Sequence, residues 1–384
     1  MRILQICAAY KPAYIYGGPT MSISMLAEQL VKASIYTEVY ATTANGKEEL
    51  QVAPGKPQNI DGVSVTYFRR FTKDHTHFSP GLLAKLWKSC RQFDVVHINA
   101  WWNTVSVLSC LIALIRGVPV FVSSRGTLSS YSFQNKNSGI KGLIHRLIGR
   151  PLLNRCYIHV TSNREEEGLV NIINPYSFTT IPNFVKLPFK EFTGRKSGSL
   201  LRLIFLSRIE KKKGLDLLME ALPQLTIPYH LTIAGDGETD YINSLKSIAN
   251  KHNVAEHITW TGFMGEDKFN LLYNHDLLVL PSYDENFGNV VIESLSQGTA
   301  VLLSPFVGLQ RYVAEHNFGW ECSLDATNIA DRINFIYSQQ DELMRIRDTA
   351  PVAIRSDFDG QQLVSRYISM YSSIITTGGH QESL

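Results

Sequence analysis

The sequence predicts an α/β protein made of two doubly wound parallel-sheet domains that face each other across a cleft. Short apolar strands alternate with helical patterns along the whole chain, and one stretch without periodicity divides it into halves of similar size. The 384 residues, 44% of them hydrophobic, can bury a large core. At about 100–200 residues per domain, two domains are expected.

The predicted strands are short apolar runs bounded by turn signals, which is typical of strands covered on both faces. They read RILQICA, YTEVYAT, VVHINA, VPVFVSS and CYIHVTS in the first half, then LRLIFLS, YHLTIAG, HITWTG, LLVLPS and TAVLLS in the second. Strands separated by helices indicate βαβ units, so each half is expected to be a Rossmann-like domain.

Domain boundaries follow from the loss of periodicity. Residues 1–185 are predicted to form the N-terminal domain, 186–199 a linker that ends in Gly, Lys and Ser, and 200–358 the C-terminal domain. Helical spacing returns in 359–384, which is expected to be a helix with a frayed tail that packs back toward the N-terminal domain.

Formal charge is distributed unevenly between the halves. Residues 1–190 hold 21 Lys and Arg against 10 Asp and Glu, a net +11, whereas residues 191–384 hold 16 against 24, a net −8. Either the first half meets an anionic surface or ligand, or two separately soluble domains differ by chance.

Several classes of protein are disfavoured. The five scattered cysteines form no CxxC or Cys/His cluster, so neither a disulfide framework nor a zinc site is predicted. The longest apolar run, 105–115, is shorter than the roughly 20 residues of a membrane-spanning helix. The N-terminus lacks the features of a signal peptide, so a cytoplasmic location is expected.

One segment, residues 139–155, combines an apolar stripe with basic residues. The stripe consists of Ile140, Leu143, Ile144, Leu147 and Ile148, and the basic residues are Lys141, His145, Arg146 and Arg150. Such a helix either lies on an anionic membrane or turns its stripe into the core. The first alternative would place the protein at the inner face of the membrane.

Two loops at predicted strand ends carry residues suited to phosphates and hydroxyls. Arg208 and Lys213 follow LRLIFL and precede a helix from about Leu215, where a cationic pair suits a diphosphate unless these side chains are merely solvated. Glu285 follows LLVLPS, and Glu293 lies about one turn into the next helix. Carboxylates accept paired hydrogen bonds from vicinal hydroxyls, although Glu285 could instead cap the helix and Glu293 lie exposed on its surface.

A third loop follows the first strand. Gly17 and Gly18 precede a predicted helix from about Thr20, so the backbone could approach an anion closely. A Gly-Gly pair alone also marks an ordinary turn.

In order and spacing, SRIEKKKG, AGDG, TGF and the E-x7-E stretch from Glu285 to Glu293 resemble the retaining family-4 (group 1) glycosyltransferases of the GT-B fold. The resemblance covers nearly the whole chain and is most specific in residues 207–300. It implies that the C-terminal domain holds a nucleotide-diphosphate sugar, UDP- or GDP-linked, and that the N-terminal domain binds the acceptor. No cofactor, metal or nucleic-acid partner is implied.

Site residues are carried over by motif. The implied catalytic residues are Glu285 on the transferred sugar and Arg208 and Lys213 on the diphosphate. The implied donor-binding residues are Gly17, Gly18, Phe263, Asn286, Phe287, Gly288, Asn289, Val290 and Glu293. Phe263 would lie beside the base and Glu293 would bind the ribose hydroxyls.

Two positions in the N-terminal half depart from the family pattern. Arg125 stands where many members have a histidine, and it could bind an acceptor phosphate or the donor, or pair with a carboxylate. Phe184 replaces the glycine that usually follows Asn183. His97 lies on a buried-looking strand, where a hydrogen-bonded core role is predicted.

The resemblance implies retaining transfer to a hydroxyl of a saccharide or a lipid-diphosphate-linked saccharide. The implied pathway is bacterial surface polysaccharide synthesis: capsule, O-antigen or exopolysaccharide. A sugar-nucleotide epimerase of GT-B architecture is the alternative. A nicotinamide-dependent oxidoreductase is disfavoured because the first strand is not followed by GxGxxG.

Overall fold

The computed structural model describes residues 1–74, 76–129, 142–188 and 198–378, with side chains of the terminal helix up to residue 375. The chain divides into two compact units, one formed by Met1–Val185 together with Gly360–Leu384 and the other by Lys186–Asp359. Within the predicted linker and tail, residues 189–197 and 379–384 lie outside the described residues.

Strands occur in both units in the order expected of βαβ repeats. They are β1 (Arg2–Cys7), β2 (Tyr36–Thr42), β3 (Ala44–Asn45), β4 (Glu48–Glu49), β5 (Pro57–Ile60), β6 (Val63–Phe68), β7 (Val95–Asn99), β8 (Val120–Ser123), β9 (Tyr157–Val160), β10 (Ser177–Thr180), β11 (Leu201–Leu206), β12 (Tyr229–Ala234), β13 (Ile258–Gly262), β14 (Leu277–Leu280), β15 (Ala300–Leu303) and β16 (Gly319–Glu321). Each strand predicted from the sequence is present.

Helices follow most of the strands. They are α1 (Gly18–Lys32), α2 (Pro80–Ser89), α3 (Thr104–Ile115), α4 (Arg150–Leu153), α5 (Asn163–Leu169), α6 (Leu215–Ala221), α7 (Thr239–Lys251), α8 (Lys268–Tyr273), α9 (Asn289–Leu295), α10 (Gln310–His316), α11 (Ala326–Tyr337), α12 (Gln340–Asp357) and α13 (Gly360–Gly378). Predicted helix starts are confirmed for α6, whereas α1 begins at Gly18 and not near Thr20, because Pro19 is well suited to the first turn.

Each unit contains one large, mainly parallel sheet, which confirms the predicted fold class. The order is β10-β9-β8-β7-β1-β2-β6-β5 in the first unit and β13-β12-β11-β14-β15-β16 in the second. Only β5 runs antiparallel to its neighbour within these two sheets. The strand order reverses beside β1 and beside β11, and ligands of such sheets bind beyond the carboxyl ends of the strands at these points.

The terminal helix α13 completes the core of the first unit. Its apolar side chains pack with those of β1, β7 and β8 in one cluster. The buried members include Ile3, Val95, Phe121, Leu363, Val364, Tyr367 and Tyr371. The two tyrosines on α13 also bring hydroxyl groups into this core, and each of them is hydrogen-bonded.

A chain of buried polar side chains joins α13 to the sheet. The Nδ1 of His97 lies 2.6 Å from the hydroxyl of Tyr371, and its Nε2 lies 2.6 Å from the Oγ of Ser123. Ser123 Oγ is also 2.6 Å from Nδ1 of His159, whose Nε2 lies 2.9 Å from the hydroxyl of Tyr367. The predicted core role of His97 is therefore confirmed.

His97 and His159 are both held neutral by their surroundings. Burial lowers the pKa of His159 to about 3, and the positive charge of Arg125 adds to this effect. Burial also lowers the pKa of His97 well below its ordinary value, helped by His159 and Arg125. Protonation at either position would place a second charge beside the Arg125 guanidinium in a low-dielectric core.

We expect His159 to make the free energy of unfolding fall as the pH drops from 6.5 toward 3. The unfolded chain binds a proton near pH 6.5, whereas the folded chain binds it only near pH 3. One such group contributes a slope of about 1.4 kcal/mol per pH unit. His159→Gln should remove this contribution in urea unfolding between about pH 4 and 6. An unchanged slope would show that His159 does not titrate in this way.

Candidate functional site

In the second unit, the loops after β11 and β14 lie side by side, because these strands are neighbours at the reversal of strand order. The amide of Tyr283 donates to the carbonyl of Lys212 at 2.8 Å and joins the two loops. Gly214 has a left-handed φ of +69°, and a Cβ there would collide with the carbonyl of Pro281. Only glycine permits this close approach of the backbones.

The structure brings Lys213 and Glu285 into one ion pair. Lys213 ends a short 3₁₀ turn after β11, and its buried ammonium contacts Oε2 of the half-buried Glu285. The backbone of Glu285 is fixed by the loop after β15: its amide donates to Phe306 at 3.0 Å, and its carbonyl accepts from Gly308 at 2.9 Å. An ammonium and a carboxylate are thus held together at the predicted ligand-binding edge.

Arg208 lies in the same loop as Lys213 but has a different acidic partner. Its Nη1 lies 2.6 Å from Oε1 of Glu210, and its side chain is 57% exposed. Lys212 is 3.8 Å from the other oxygen of Glu210. Burial lowers the pKa of Lys212, and the neighbouring charge of Lys213 adds to this effect. This loop therefore concentrates positive charge, with Glu210 as a partner that the motif did not predict.

Glu293 belongs to a second ion pair. It is buried on α9, and its Oε1 lies 2.6 Å from Nζ of Lys268 at the start of α8. Within the described part of the chain, Glu293 forms no ion pair with Lys213 or Arg208. Lys268 was not predicted, since a single lysine in the loop after β13 carries no motif.

The residues between the two glutamates divide into core and surface positions. The ring of Phe287 is buried, with its centroid 6.4 Å from that of Phe358, so only its backbone can face a ligand. Gly288 has φ +92°, and a Cβ there would lie 3.1 Å from a methyl of Val307. The half-buried residues are Asn286, Asn289 and Val290. Phe263, just after β13, is strongly exposed.

Gly17 and Gly18 lie in the first unit, at the reversal of strand order beside β1. Gly17 has φ +67°, and the 15-residue helix α1 begins at Gly18. The amide of Met21 donates to the carbonyl of Gly17 at 3.3 Å, which continues the helical hydrogen bonding to the loop.

Arg125 is directed into the first unit. Its Nε donates to Oδ1 of Asn99 at 3.0 Å, and its Nη1 donates to Oδ1 of Asn183 at 2.8 Å. A left-handed φ of +48° turns the chain at this position. Burial lowers the pKa of the guanidinium. These contacts tie the end of β7 to the segment that leaves the first unit, and their partners are neutral amides.

Within the described ranges, no group of three or more His, Cys, Asp and Glu side chains is placed to hold a metal ion. No described helix is both long enough and apolar enough to cross a bilayer. All five cysteines are buried free thiols.

Comparison with known proteins gives two family matches that adjoin each other. The model described as Glycosyltransferase Family 4 matches residues 16–188, and the model described as Glycosyl transferases group 1 matches residues 189–352. Glycogen synthase of Mycobacterium tuberculosis is 24% identical over 397 residues, covering 97% of this chain and 94% of that protein.

Solved structures resemble the whole chain. Sucrose-phosphate synthase from Thermosynechococcus elongatus has a TM-score of 0.76 at 16% identity and covers 98% of this chain and 100% of its own. Anabaena Alr3699/HepE in complex with UDP-glucose has a TM-score of 0.74 at 18% identity and covers 97% and 100%. At these identities the likeness establishes the fold alone.

Proposed function

Because the chain belongs to the family-4, group 1 glycosyltransferases and has the GT-B fold, we propose that it moves a sugar from a UDP- or GDP-sugar to an acceptor hydroxyl with retention. The proposed acceptor is a saccharide or a lipid-diphosphate-linked saccharide. The observation that carries this proposal is the ion pair of Lys213 and Glu285 at the carboxyl edge of the second sheet.

The pair supplies both groups that the reaction needs at the donor. The ammonium of Lys213 would stabilise negative charge that develops on the leaving diphosphate, and the carboxylate of Glu285 would bind hydroxyls of the transferred sugar. Lys213 is buried, so its charge acts in a medium of lower dielectric constant than water. The exposed Arg208 would exchange Glu210 for a phosphate oxygen when the donor binds.

Retention is proposed to follow from attack on the face that the diphosphate leaves. The acceptor oxygen forms its bond to the anomeric carbon as the bond to the phosphate oxygen breaks, and the acceptor proton passes to that phosphate. Lys213 and Arg208 hold the diphosphate during this step. Neither cation needs to gain or lose a proton.

The remaining donor contacts come from groups around this pair. Glu293 would bind the ribose hydroxyls, and the exposed ring of Phe263 would lie beside the base. Backbone groups of Phe287, Gly288 and Val290, with the half-buried Asn286 and Asn289, would line the sugar and phosphate positions. Gly17 and Gly18, at the start of α1, are also proposed to bind the donor. UDP-glucose is the first donor to test, since it is bound in the Anabaena structure.

The first unit is proposed to bind the acceptor. Arg125 would support that site from inside, because it fixes Asn99 and Asn183. We further propose a role in bacterial surface polysaccharide synthesis in the cytoplasm, at the inner face of the membrane, which fits an acceptor that is lipid-linked. The basic balance of residues 1–190 agrees with an anionic acceptor or membrane.

Product analysis tests this function against the epimerase alternative. Thermal shifts with UDP-, GDP- and ADP-sugars identify the donor, and the protein is then incubated with that donor alone and with saccharide and lipid-linked acceptors. A transferase forms a glycoside only when an acceptor is present, and proton NMR then shows whether the anomeric configuration is retained. Conversion of the donor to its epimer without an acceptor would contradict the proposal.

Lys268→Met is expected to reduce the preference of the protein for UDP over analogues that lack a ribose hydroxyl. In the proposed complex, Lys268 fixes the carboxylate of Glu293 at 2.6 Å, so its loss frees that carboxylate to rotate. We expect UDP to bind about fivefold more weakly. In Lys268→Met, removing a ribose hydroxyl from the ligand should cause a smaller loss of affinity than in the unmodified protein. Lys268→Arg should show the same loss as the unmodified protein.

The measurement is a titration of each variant with UDP, 2′-deoxy-UDP and 3′-deoxy-UDP. The exposed Lys251 on α7 provides the control position, and Lys251→Met should match the unmodified protein. If Lys268→Met and the unmodified protein prefer UDP over the deoxy analogues to the same extent, Glu293 does not bind the ribose hydroxyls as proposed.

A further inference from the structure

The helical segment 142–153 of the first unit turns its aliphatic stripe toward solvent. It contains a π-helical turn at His145–Gly149 and continues into α4. The side chains on its outer side are between 44% and 66% exposed. They are Leu143, Ile144, Leu147 and Ile148. The core-facing alternative for this stripe is therefore wrong for these four residues, while residues 139–141 of the predicted segment lie outside the described ranges.

The inner side of the same segment explains this orientation. His145 and Gly149 are buried, one helical turn apart. The ring of His145 lies 6.1 Å from that of Trp102, and a Cβ on Gly149 would lie 3.4 Å from Nε1 of Trp101. The π-helical turn is thus fixed to the protein through His145 and Gly149, and the end of the segment through the buried Leu153. The four outer aliphatic side chains are left uncovered by the described part of the chain.

The charged residues in the sequence on either side of this stripe all have the same sign. Residues 95–164 contain no Asp or Glu but eight Lys and Arg. Three of these arginines belong to the helical segment or directly follow it, and all three are exposed: Arg146, Arg150 and Arg155. An aliphatic face whose own helical segment carries arginines and no acidic residue is suited to a bilayer surface, where anionic headgroups lie above apolar acyl chains.

We propose that the outer face of residues 142–153 is a docking surface for an anionic lipid bilayer. The four aliphatic side chains enter the boundary between headgroups and acyl chains, and the arginines bind lipid phosphates. A second copy of the chain fits poorly, because a symmetric contact through this face would oppose the same arginines. The proposal rests on the proposed function only for its purpose, which is to bring a lipid-linked acceptor to the enzyme.

A second exposed group lies on a loop that is linked to this segment through α3. Phe71 is 81% exposed on the loop after β6, and the carbonyl of Thr76 in that loop accepts from the amide of Thr104 at 2.9 Å. Thr104 begins α3, two residues after Trp102, which contacts the docking segment through His145. An exposed phenylalanine can enter the boundary between headgroups and acyl chains, so Phe71 would provide a second point of contact.

Vesicle flotation tests the surface without nucleotide or acceptor. We expect the protein to float with vesicles of phosphatidylglycerol and phosphatidylcholine, to bind pure phosphatidylcholine weakly, and to be released by high salt. Leu147→Glu should lower the partition coefficient by about tenfold, and Arg150→Glu by about fivefold or more. Val352→Glu is the matched control, because Val352 is a 71% exposed aliphatic residue on α12 in the other unit. It should bind as the unmodified protein does.

Three outcomes would overturn the proposal. One is the absence of binding to either vesicle at low salt, and another is equal binding by Leu147→Glu and Val352→Glu. The third is a dimer in size-exclusion chromatography that Leu147→Glu dissociates, which would assign the face to a second copy. Thermal unfolding and UDP binding of Leu147→Glu should match the unmodified protein. Vesicle binding without any transfer would instead contradict only the proposed function.

Discussion

Replacing Lys213 with methionine is expected to lower kcat/KM for sugar transfer by about 10²–10³-fold, the usual effect of removing one group that stabilises developing negative charge. Methionine keeps most of the side-chain volume, so the buried site retains its packing while the charge is lost. UDP affinity should fall by about tenfold, because a charge-assisted contact to the diphosphate disappears. Initial rates of UDP release and calorimetric titration with UDP measure the two effects.

Lys211→Met is the control for this prediction. Lys211 begins the same 3₁₀ turn and is exposed, so its loss changes the net charge of the loop equally but leaves the pair with Glu285 intact. Its kinetics should stay within about twofold of the unmodified protein. Glu285→Ala should lose transfer as Lys213→Met does. Equal kcat/KM values for Lys213→Met and Lys211→Met would show that Lys213 has no part in the proposed mechanism.

Gly214→Ala is expected to lower the free energy of unfolding by about 3 kcal/mol or more, since it adds both a conformational and a steric cost. The φ of +69° is unfavourable for alanine, and its Cβ would collide with the carbonyl of Pro281. Relief of that collision requires the loops after β11 and β14 to separate, so UDP binding should weaken as well. Chemical denaturation followed by circular dichroism measures the change in stability.

A second glycine allows the conformational cost to be measured without the steric cost. Gly262 at the end of β13 has a nearly identical φ of +71°, but no described atom lies within 4 Å of its Cβ position. Gly262→Ala should therefore cost only about 1–2 kcal/mol, the price of the left-handed conformation. Equal losses of stability in both variants would show that the close approach to Pro281 is unimportant.

The strands were predictable where both of their faces are buried. β1, β11 and β14 read as apolar runs because helices cover both sides of the sheet. The edge strands β5, β10 and β16 were not predicted, since half of their surface meets solvent and their sequences carry no such run. β6 is buried but was not predicted, because Ser64 and Thr66 interrupt its apolar run and make its sequence resemble a loop.

The contacts among the proposed site residues differ in how far the sequence could predict them. Lys213 and Glu285 follow strands that the fold places side by side, so their meeting follows from topology. The partner of Glu293 depends on how α8 packs against α9, and sequence spacing does not contain that information. Similarly, the repeat of aliphatic residues in 142–153 defines a face but not the direction in which that face points.

The first unit is discontinuous in sequence, and this affects the order in which the protein can form. Its interior needs Tyr367 and Tyr371, which the ribosome adds only after the uninterrupted stretch Lys186–Asp359. The second unit can therefore close before the first, although it is synthesised later. A chain released after residue 359 would leave the imidazoles of His97 and His159 without their phenol partners. The amino-terminal half of the molecule can therefore complete its core only once α13 has been synthesised.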